Sequence, residues 1–230
     1  MILKKNLPEV LAKARAASRV LDVGGWFQPL NHATHVLDLN PWQTRRSEHA
    51  LDPGSPERFS EMTWTQWDAC KAPWPYPDKF FDLSFCSHTL EDLRDPIGVC
   101  AELVRVSKSG YLETPSRLRE IFVKERFFYL KALLGRLPQI GFAQHRWFVE
   151  IDQAHVRFTA KDHMILLSRN YFITRGDLGR KLTEEESGVG LFWSGSFSCE
   201  EVLHYDDSGL GEFRTRALKQ ARSGAGRPSS

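Results

Sequence analysis

Asp22 and Asp38 each stand near the end of a short apolar run, RVLDV at 19–23 and HVLDL at 35–39, with Gly24-Gly25 and then Trp26 between them. If the two runs are neighbouring strands, a glycine bend after the first lets a ligand approach the backbone, because no side chain blocks it. A carboxylate closing the second can accept hydrogen bonds from both hydroxyls of a ribose more strongly than a neutral amide would. The pattern suggests an adenosine-containing ligand resting on Gly24, Gly25 and Trp26, held by Asp38 with Leu39 beside it and Asp22 at the tip of the first strand. On these residues alone, the reading that both acids merely cap turns stays open.

Other residues could act on such a ligand's partner. His88 follows KFFDLSFCS at 79–87, and a histidine at a strand exit titrates near neutral pH and can serve as a base. It could equally bond the backbone of the next helix. His145, in QHRW, is a second candidate base, or a hinge residue stacked on Trp147. Glu113, closing YLET, and Arg146 are candidate acceptor contacts; an arginine suits a carboxylate or phosphate, though a solvated surface arginine reads the same way. Glu91, Asp92 and Asp95 follow His88 closely, yet Asp95 is better used as a helix cap and Glu91 should point elsewhere on a helical turn. No metal site is expected.

The elements that must position these residues follow from periodicity. Asn6 and Pro8 can open a helix with Leu7, Val10, Leu11 and Ala14 on one face. The runs at 19–23 and 35–39 are continuous and apolar, as parallel strands covered on both faces are. Trp64 to Asp68 makes a weaker third strand and 79–87 a fourth. RDPIGVCAELVRVSKSG then signals a helix: Asp95 as N-cap, Pro96 in the first turn, Ile97, Cys100, Ala101, Leu103 and Val104 facing inward, and Gly110 ending it. YLET at 111–114 is a fifth strand. Between Gly24 and Thr34 there is room for a short turn only, with Pro29 in its middle. Alternation of this kind implies an α/β fold, a Rossmann-like doubly wound and mostly parallel sheet.

Beyond Pro115 the pattern changes. RLREIFVKERFFYLKALLGRL is amphipathic and basic, read as a helical lid over the sheet, with a membrane-surface helix as the alternative. HVRFTAK at 155–161 and GLFWSGSF at 190–197 alternate as antiparallel strands do. The expected organisation is an N-terminal helix (1–18), a core (19–116), a helical lid and acceptor-pocket segment (117–154), C-terminal strands completing the domain (155–213) and a disordered tail (214–230).

Composition narrows the partners. At 230 residues and 41% hydrophobic, the chain can bury one full core. Lys and Arg total 31 against 29 Asp and Glu, a net charge of +2, so no strong field points to nucleic acid or a membrane. No signal peptide or long apolar run is seen, and a soluble cytoplasmic protein is expected. Cys70, Cys86, Cys100 and Cys199 lack C-x-x-C spacing, three of them sit inside apolar runs, and they read as buried free thiols.

The stretch WDACKAPWPYPDKFFDLSFCSHTLEDLRDPIGVCAELVRVSKSGYLETPS resembles the class I S-adenosylmethionine-dependent methyltransferases, particularly the type 11 methyltransferase-domain group, and the likeness covers residues 18 to 116. It implies that Asp68-Ala69 hold the adenine edge and that Ser87 and His88 border the methionine part of the cofactor. GFAQHRWFVE and LFWSGSF are similar to segments of one branch of that group. The chain departs from the family's first loop, which reads acid-x-Gly-x-Gly-x-Gly; here it is Asp22-Val23-Gly24-Gly25-Trp26-Phe27, and the two aromatics could wall in the cofactor or occlude it. G-x-G-x-x-G and P-loop patterns are absent. So is the Asn/Asp-Pro-Pro-aromatic motif of nucleic-acid amino-methylation, since Ser87-His88-Thr89-Leu90 stands there. The resemblance implies methyl transfer from S-adenosylmethionine to a small or medium acceptor at oxygen. A non-catalytic relative, or a lipid or quinone methyltransferase at a membrane surface, are the alternatives.

Overall fold

The computed structural model describes residues 2–123, 130, 133–135, 140–161, 171–203 and 207–224. Its strands are β1 (Val20–Val23), β2 (His35–Asp38), β3 (Trp64–Gln66), β4 (Leu83–Ser87), β5 (Ser109–Pro115), β6 (Phe122–Val123), β7 (Trp147–Asp152), β8 (His155–Ala160), β9 (Ile173–Thr174), β10 (Gly188–Ser194) and β11 (Ser198–Val202). Helices α1 (Leu7–Ala16), α2 (Pro96–Val106) and α3 (Arg117–Glu120) precede β1, join β4 to β5 and follow β5; Arg175–Leu178, Glu184–Ser187 and Asp207–Gly224 are also helical.

The central sheet has the order β10-β5-β4-β1-β2-β3. β1 to β5 pair in parallel, and β10 closes the β5 edge antiparallel. The fold is mixed α/β with a mostly parallel sheet, and strand order reverses between β1 and β4. All four β1 residues are buried, because each face of the sheet carries its own core. Val20, Val36, Leu83, Phe85 and Tyr111 meet Val10 and Ala14 of α1, while Leu21, Val23, Leu37, Cys86 and Leu112 meet Val99, Cys100, Leu103 and Val106 of α2.

Asp95 caps α2, its Oδ1 accepting from Gly98 N at 2.8 Å. The buried stripe of α2 is Pro96, Val99, Cys100, Leu103 and Val106, a helical i, i+3, i+4 spacing. Ala101, expected inside, is exposed. Gly110 does not stop the helix, which ends at Val106. It lies in β5, where a Cβ would come within 2.6 Å of both Ser84 Oγ and Trp193 Nε1.

Full helices do not alternate with strands throughout. The β1–β2 connection is turns alone, as its length predicts, and the links from β2 to β3 and β3 to β4 carry only turns and short 3₁₀ segments. Aromatic side chains cover the sheet there: Trp42, Phe59 and Trp64 cluster on the α1 face, and Trp74, Tyr76 and Phe81 on the other.

β7, β8 and β11 form a second sheet, in which β7 pairs antiparallel and β11 parallel with β8. Its Val149, Val156 and Phe158 join the α2 core. The two segments read as antiparallel strands are therefore strands of different sheets. The basic stretch expected as a lid helix is helical at Arg117–Glu120 and turns to strand at Phe122–Val123, which pairs with β9; its residues 124–129, 131, 132, 136 and 137 lie outside the described residues. Part of the expected disordered tail is helix Asp207–Gly224 instead, where Ala217 and Ala221 are buried against Leu118, Ile121 and Ile173; small side chains at i and i+4 let that helix dock closely despite its low apolar content. All four cysteines are unbridged, but only Cys86 and Cys100 are buried; Cys70 and Cys199 are partly exposed. Among the described residues no helix is long and apolar enough to cross a membrane, and no cluster is placed to hold a metal.

Candidate functional site

Parallel pairing brings one end of every strand to a common edge, and in open α/β sheets ligands lie outside the carboxyl ends where strand order reverses. Side-chain alternation puts Asp22, Asp38, Ser87 and Glu113 on the same face of that edge, since Asp22 pairs across from Val36 and Phe85, and Ser87 from Glu113.

The first bend is built around a buried acid. Asp22 is 1% exposed, its Oδ2 accepts from Leu30 N at 2.9 Å, and burial pushes its pKa up to about 8. A Cβ on Gly25 would lie 2.4 Å from that same oxygen, so the bend wraps tightly over the carboxyl. Gly24 has φ +82° and a Cβ there would meet Thr89 Oγ1 at 2.2 Å; only glycine takes this backbone without strain. Thr89 Oγ1 in turn donates to Val23 O at 3.3 Å and Ser87 O at 3.2 Å, tying the β1 and β4 exits together.

Asp38 is equally internal. Its Oδ2 accepts from Trp26 N at 3.0 Å, and its Oδ1 from Asn40 N at 2.8 Å and Asn40 Nδ2 at 3.1 Å. Burial raises its pKa above the usual carboxylate value. The Trp26 indole packs on the α1-side core, as Trp42 does, and its Nε1 donates to Thr44 Oγ1 at 3.0 Å. Phe27 is exposed and stacks on His49. Leu39, 66% exposed, presents an apolar surface beside Asp38. Trp67 N donates to Asp38 O at 2.7 Å, which carries the chain to Asp68. Asp68 Oδ1 accepts from Cys70 N at 2.9 Å and its Oδ2 pairs with Arg94 at 2.7 Å, holding its carboxyl below the usual range, while Ala69 O accepts from Trp74 Nε1.

At the β4 exit His88 has φ +52° and stands between two buried carboxylates, with Nδ1 3.4 Å from Glu91 Oε1 and Nε2 3.4 Å from Glu113 Oε1. Burial alone would lower its pKa; the paired acids overcome this and raise it to about 9. Glu91 therefore faces His88 rather than pointing away, because residues 90–92 form a 3₁₀ turn, in which three residues complete a turn. Glu113 accepts from Leu3 N at 2.8 and 3.0 Å and from the Tyr111 hydroxyl, which itself accepts from Asn6 Nδ2 at 2.7 Å. The N-terminal segment is thus latched onto the carboxyl end of β5. Nothing in a local reading of MILKKN marks Leu3 as a partner of Glu113, so sequence reasoning missed both this latch and Glu91.

A cavity of about 420 Å³ opens beside these groups, lined by Ile2, Leu3, His88, Glu113, Arg119 and Phe142 among others. It meets the sequence candidates only at His88 and Glu113. His145 is 9% exposed, its Nδ1 2.7 Å from Glu120 Oε1, and stacks on Phe142 rather than Trp147. Arg146 has an exposed side chain; its backbone N–H donates to Glu91 O at 2.7 Å.

Comparison with known proteins bears on this edge. No curated protein matches the chain. Among solved structures, an S-adenosylmethionine dependent methyltransferase from Mesorhizobium loti aligns at 19% identity and TM-score 0.36, over 50% of this chain and 54% of that one. The YcgJ protein from Bacillus subtilis aligns at 20% and 0.35, over 49% and 51%, and a SAM dependent methyltransferase from Archaeoglobus fulgidus at 18% and 0.33, over 50% and 52%. The alignments thus span about half the length of these structures. The sequence profile described as "Methyltransferase domain" matches residues 23–112, the span from the first glycine bend into β5, so this part of the chain is similar to that family.

Proposed function

We propose that the chain is an enzyme that binds S-adenosylmethionine at the carboxyl edge of β1, β2 and β4 and transfers its methyl group to a small or medium acceptor, at oxygen, in the cytoplasm, without a nucleic-acid partner. The observation that carries this reading is the meeting of Gly24-Gly25, Asp38 and Ser87-His88 on one face of one strand edge, inside the segment that matches a methyltransferase domain.

The donor set fits such a cofactor. An ionised carboxylate offers roughly four acceptor positions, and Asp38 uses three, two of them on Asn40. The Leu39 N–H also acts on this carboxylate, so a position for a ribose hydroxyl is released when the Asn40 amide swings off. Gly24 and Gly25 present backbone without side chains, Asp68-Ala69 would take the adenine edge, and Ser87 and His88 the methionine end. Asp22 acts behind the bend, holding it to Leu30.

When bound, the cofactor supplies a methyl group already activated on a sulfonium. What remains for this chain is to place an acceptor lone pair in line and exclude water. The cavity beside His88 and Glu113 would hold the acceptor. With its pKa near 9, His88 is an imidazolium at neutral pH; it orients by donating, and takes a proton from an acceptor hydroxyl only at higher pH. His145, behind Phe142 and tied to Glu120, is a positioning residue in this arrangement.

Two contacts favour a non-catalytic relative whose cofactor site is occluded: both oxygens of Asp38 are already engaged and Thr89 sits against Gly24. Calorimetric titration with S-adenosylmethionine and S-adenosylhomocysteine separates the readings. Binding by the native chain and at least about tenfold weaker binding by Asp38→Ala is expected, as for a lost charged hydrogen bond. Absence of binding by the native chain ends the enzyme reading.

A further inference from the structure

Arg119 is 8% exposed, although it carries a full charge. Its Nη1 is buried with no hydrogen-bond partner, and its guanidinium lies over the Phe142 ring at 4.5 Å from the centroid. A guanidinium withdrawn from water normally gains an anion in exchange. The neighbouring Glu120 acts on it only through space, since its Oε1 is taken by His145 at 2.7 Å and its Oε2 by Lys161 at 2.6 Å. Ser116 caps α3 by accepting from Arg119 N at 3.1 Å, so the position of Arg119 is set by the turn that leaves β5.

Arg119 faces two adjoining cavities. The larger, about 420 Å³, is the one that reaches His88 and Glu113. The smaller, about 290 Å³, is lined by Arg119, Phe122, Arg175, Lys181, Leu182 and Ser187: three cations, two apolar side chains and no acid. The acids of the larger cavity are already satisfied, Glu113 by Leu3 and Glu184 by Lys4. Positive charge without a hydrogen-bonded acid is therefore concentrated in the smaller cavity, and His88 lines only the larger one that adjoins it.

We propose that this end seats the carboxylate of an organic acid with an apolar body, Arg119 being the buried anchor, and that a hydroxyl at the far end of this acid, beside His88, is the methyl acceptor: its oxygen forms the O–CH3 bond as the S–CH3 bond of S-adenosylmethionine breaks, S-adenosylhomocysteine leaves, and the hydroxyl proton passes to neutral His88 or to water. The flat guanidinium fork matches a carboxylate, Phe122 and Leu182 suit an apolar body, and Arg175 and Lys181 stand exposed at the mouth. The identification of the bound acid as acceptor rests on the methyl-transfer reading above; the seat itself does not.

The test is titration of the full chain, with and without S-adenosylhomocysteine, by benzoate and by hexanoate, each beside its neutral amide, and by inorganic phosphate. The native chain should bind at least one acid about tenfold or more tighter than its amide. Arg119→Gln should bring acid and amide within about threefold, and the surface pair Arg175→Ala/Lys181→Ala, which leaves the core untouched, should weaken the acid several-fold with an unchanged melting temperature. No preference for either acid over its amide overturns the inference, as does a preference that survives both variants or phosphate binding as tightly as the acids. S-adenosylhomocysteine binding without acid preference removes only this inference; acid preference without S-adenosylhomocysteine binding removes the donor reading and leaves the seat in place.

Discussion

Replacing Glu113 by Gln tests the account of the β5 edge most directly. His88 titrates near 9 instead of its ordinary 6.5, against the pull of its own burial. At about 1.4 kcal/mol per unit, the paired acids favour the imidazolium by at least roughly 3 kcal/mol. Glu91 and Glu113 both stand 3.4 Å away, and the Glu113 hydrogen bond is the largest single contribution that raises the pKa. Glu113→Gln should lower the His88 pKa by at least about one unit, while the Gln carbonyl still accepts from Leu3 N and keeps the N-terminal latch. The sign of the stability effect follows: with the folded pKa raised, the stabilisation is fully present below pH 6.5 and is lost as pH rises through about 9. The variant should therefore lose about 1–2 kcal/mol at pH 6 and almost nothing attributable to His88 above pH 9.5. Histidine-selective NMR titration and urea unfolding at the two pH values measure this. An unmoved His88 titration, or a loss equal at both pH values, would show that Glu113 is not what holds the imidazolium.

Two further outcomes are expected at the first bend. Gly24→Ala forces a Cβ to 2.2 Å from Thr89 Oγ1 at φ +82° and should cost about 1–3 kcal/mol in chemical denaturation, partly regained in Gly24→Ala/Thr89→Ala; a neutral substitution refutes the tight-bend account. Asp22 has its folded pKa raised to about 8 from 3.8, so the stability of the native chain falls as pH climbs between those values. Asp22→Asn, whose amide oxygen can still accept from Leu30 N, should match the native chain near pH 4 and exceed it by more than about 1 kcal/mol at pH 9. A pH-independent difference would place the Asp22 carboxyl in a wetter setting than its 1% exposure indicates.

Much of this protein is legible in local pattern. Continuous apolar runs mark β1, β2 and β4, and Asp95-Pro96 marks the start of α2, because strand burial and helix capping depend on residues a few positions apart. The acid–glycine–acid spacing also survives translation into three dimensions, since parallel pairing of adjacent strands brings Asp22 and Asp38 to one edge. Long-range pairing is a different matter. That Leu3 would clasp Glu113, that Glu91 would turn toward His88, and that Trp26 would pack on the α1-side core all depend on which distant surfaces meet. The helix at 207–224 is likewise decided by docking, since Ala217 and Ala221 have little apolar area until Ile121 and Ile173 lie against them. Arg119 illustrates the division best: in the sequence it is one basic residue in an amphipathic run, and only the packing of α3 against Phe142 buries its charge and turns it toward a cavity. Periodicity and spacing set where strands, helices and acids fall along the chain; the desolvation that gives a side chain its chemistry is a property of the assembled interior.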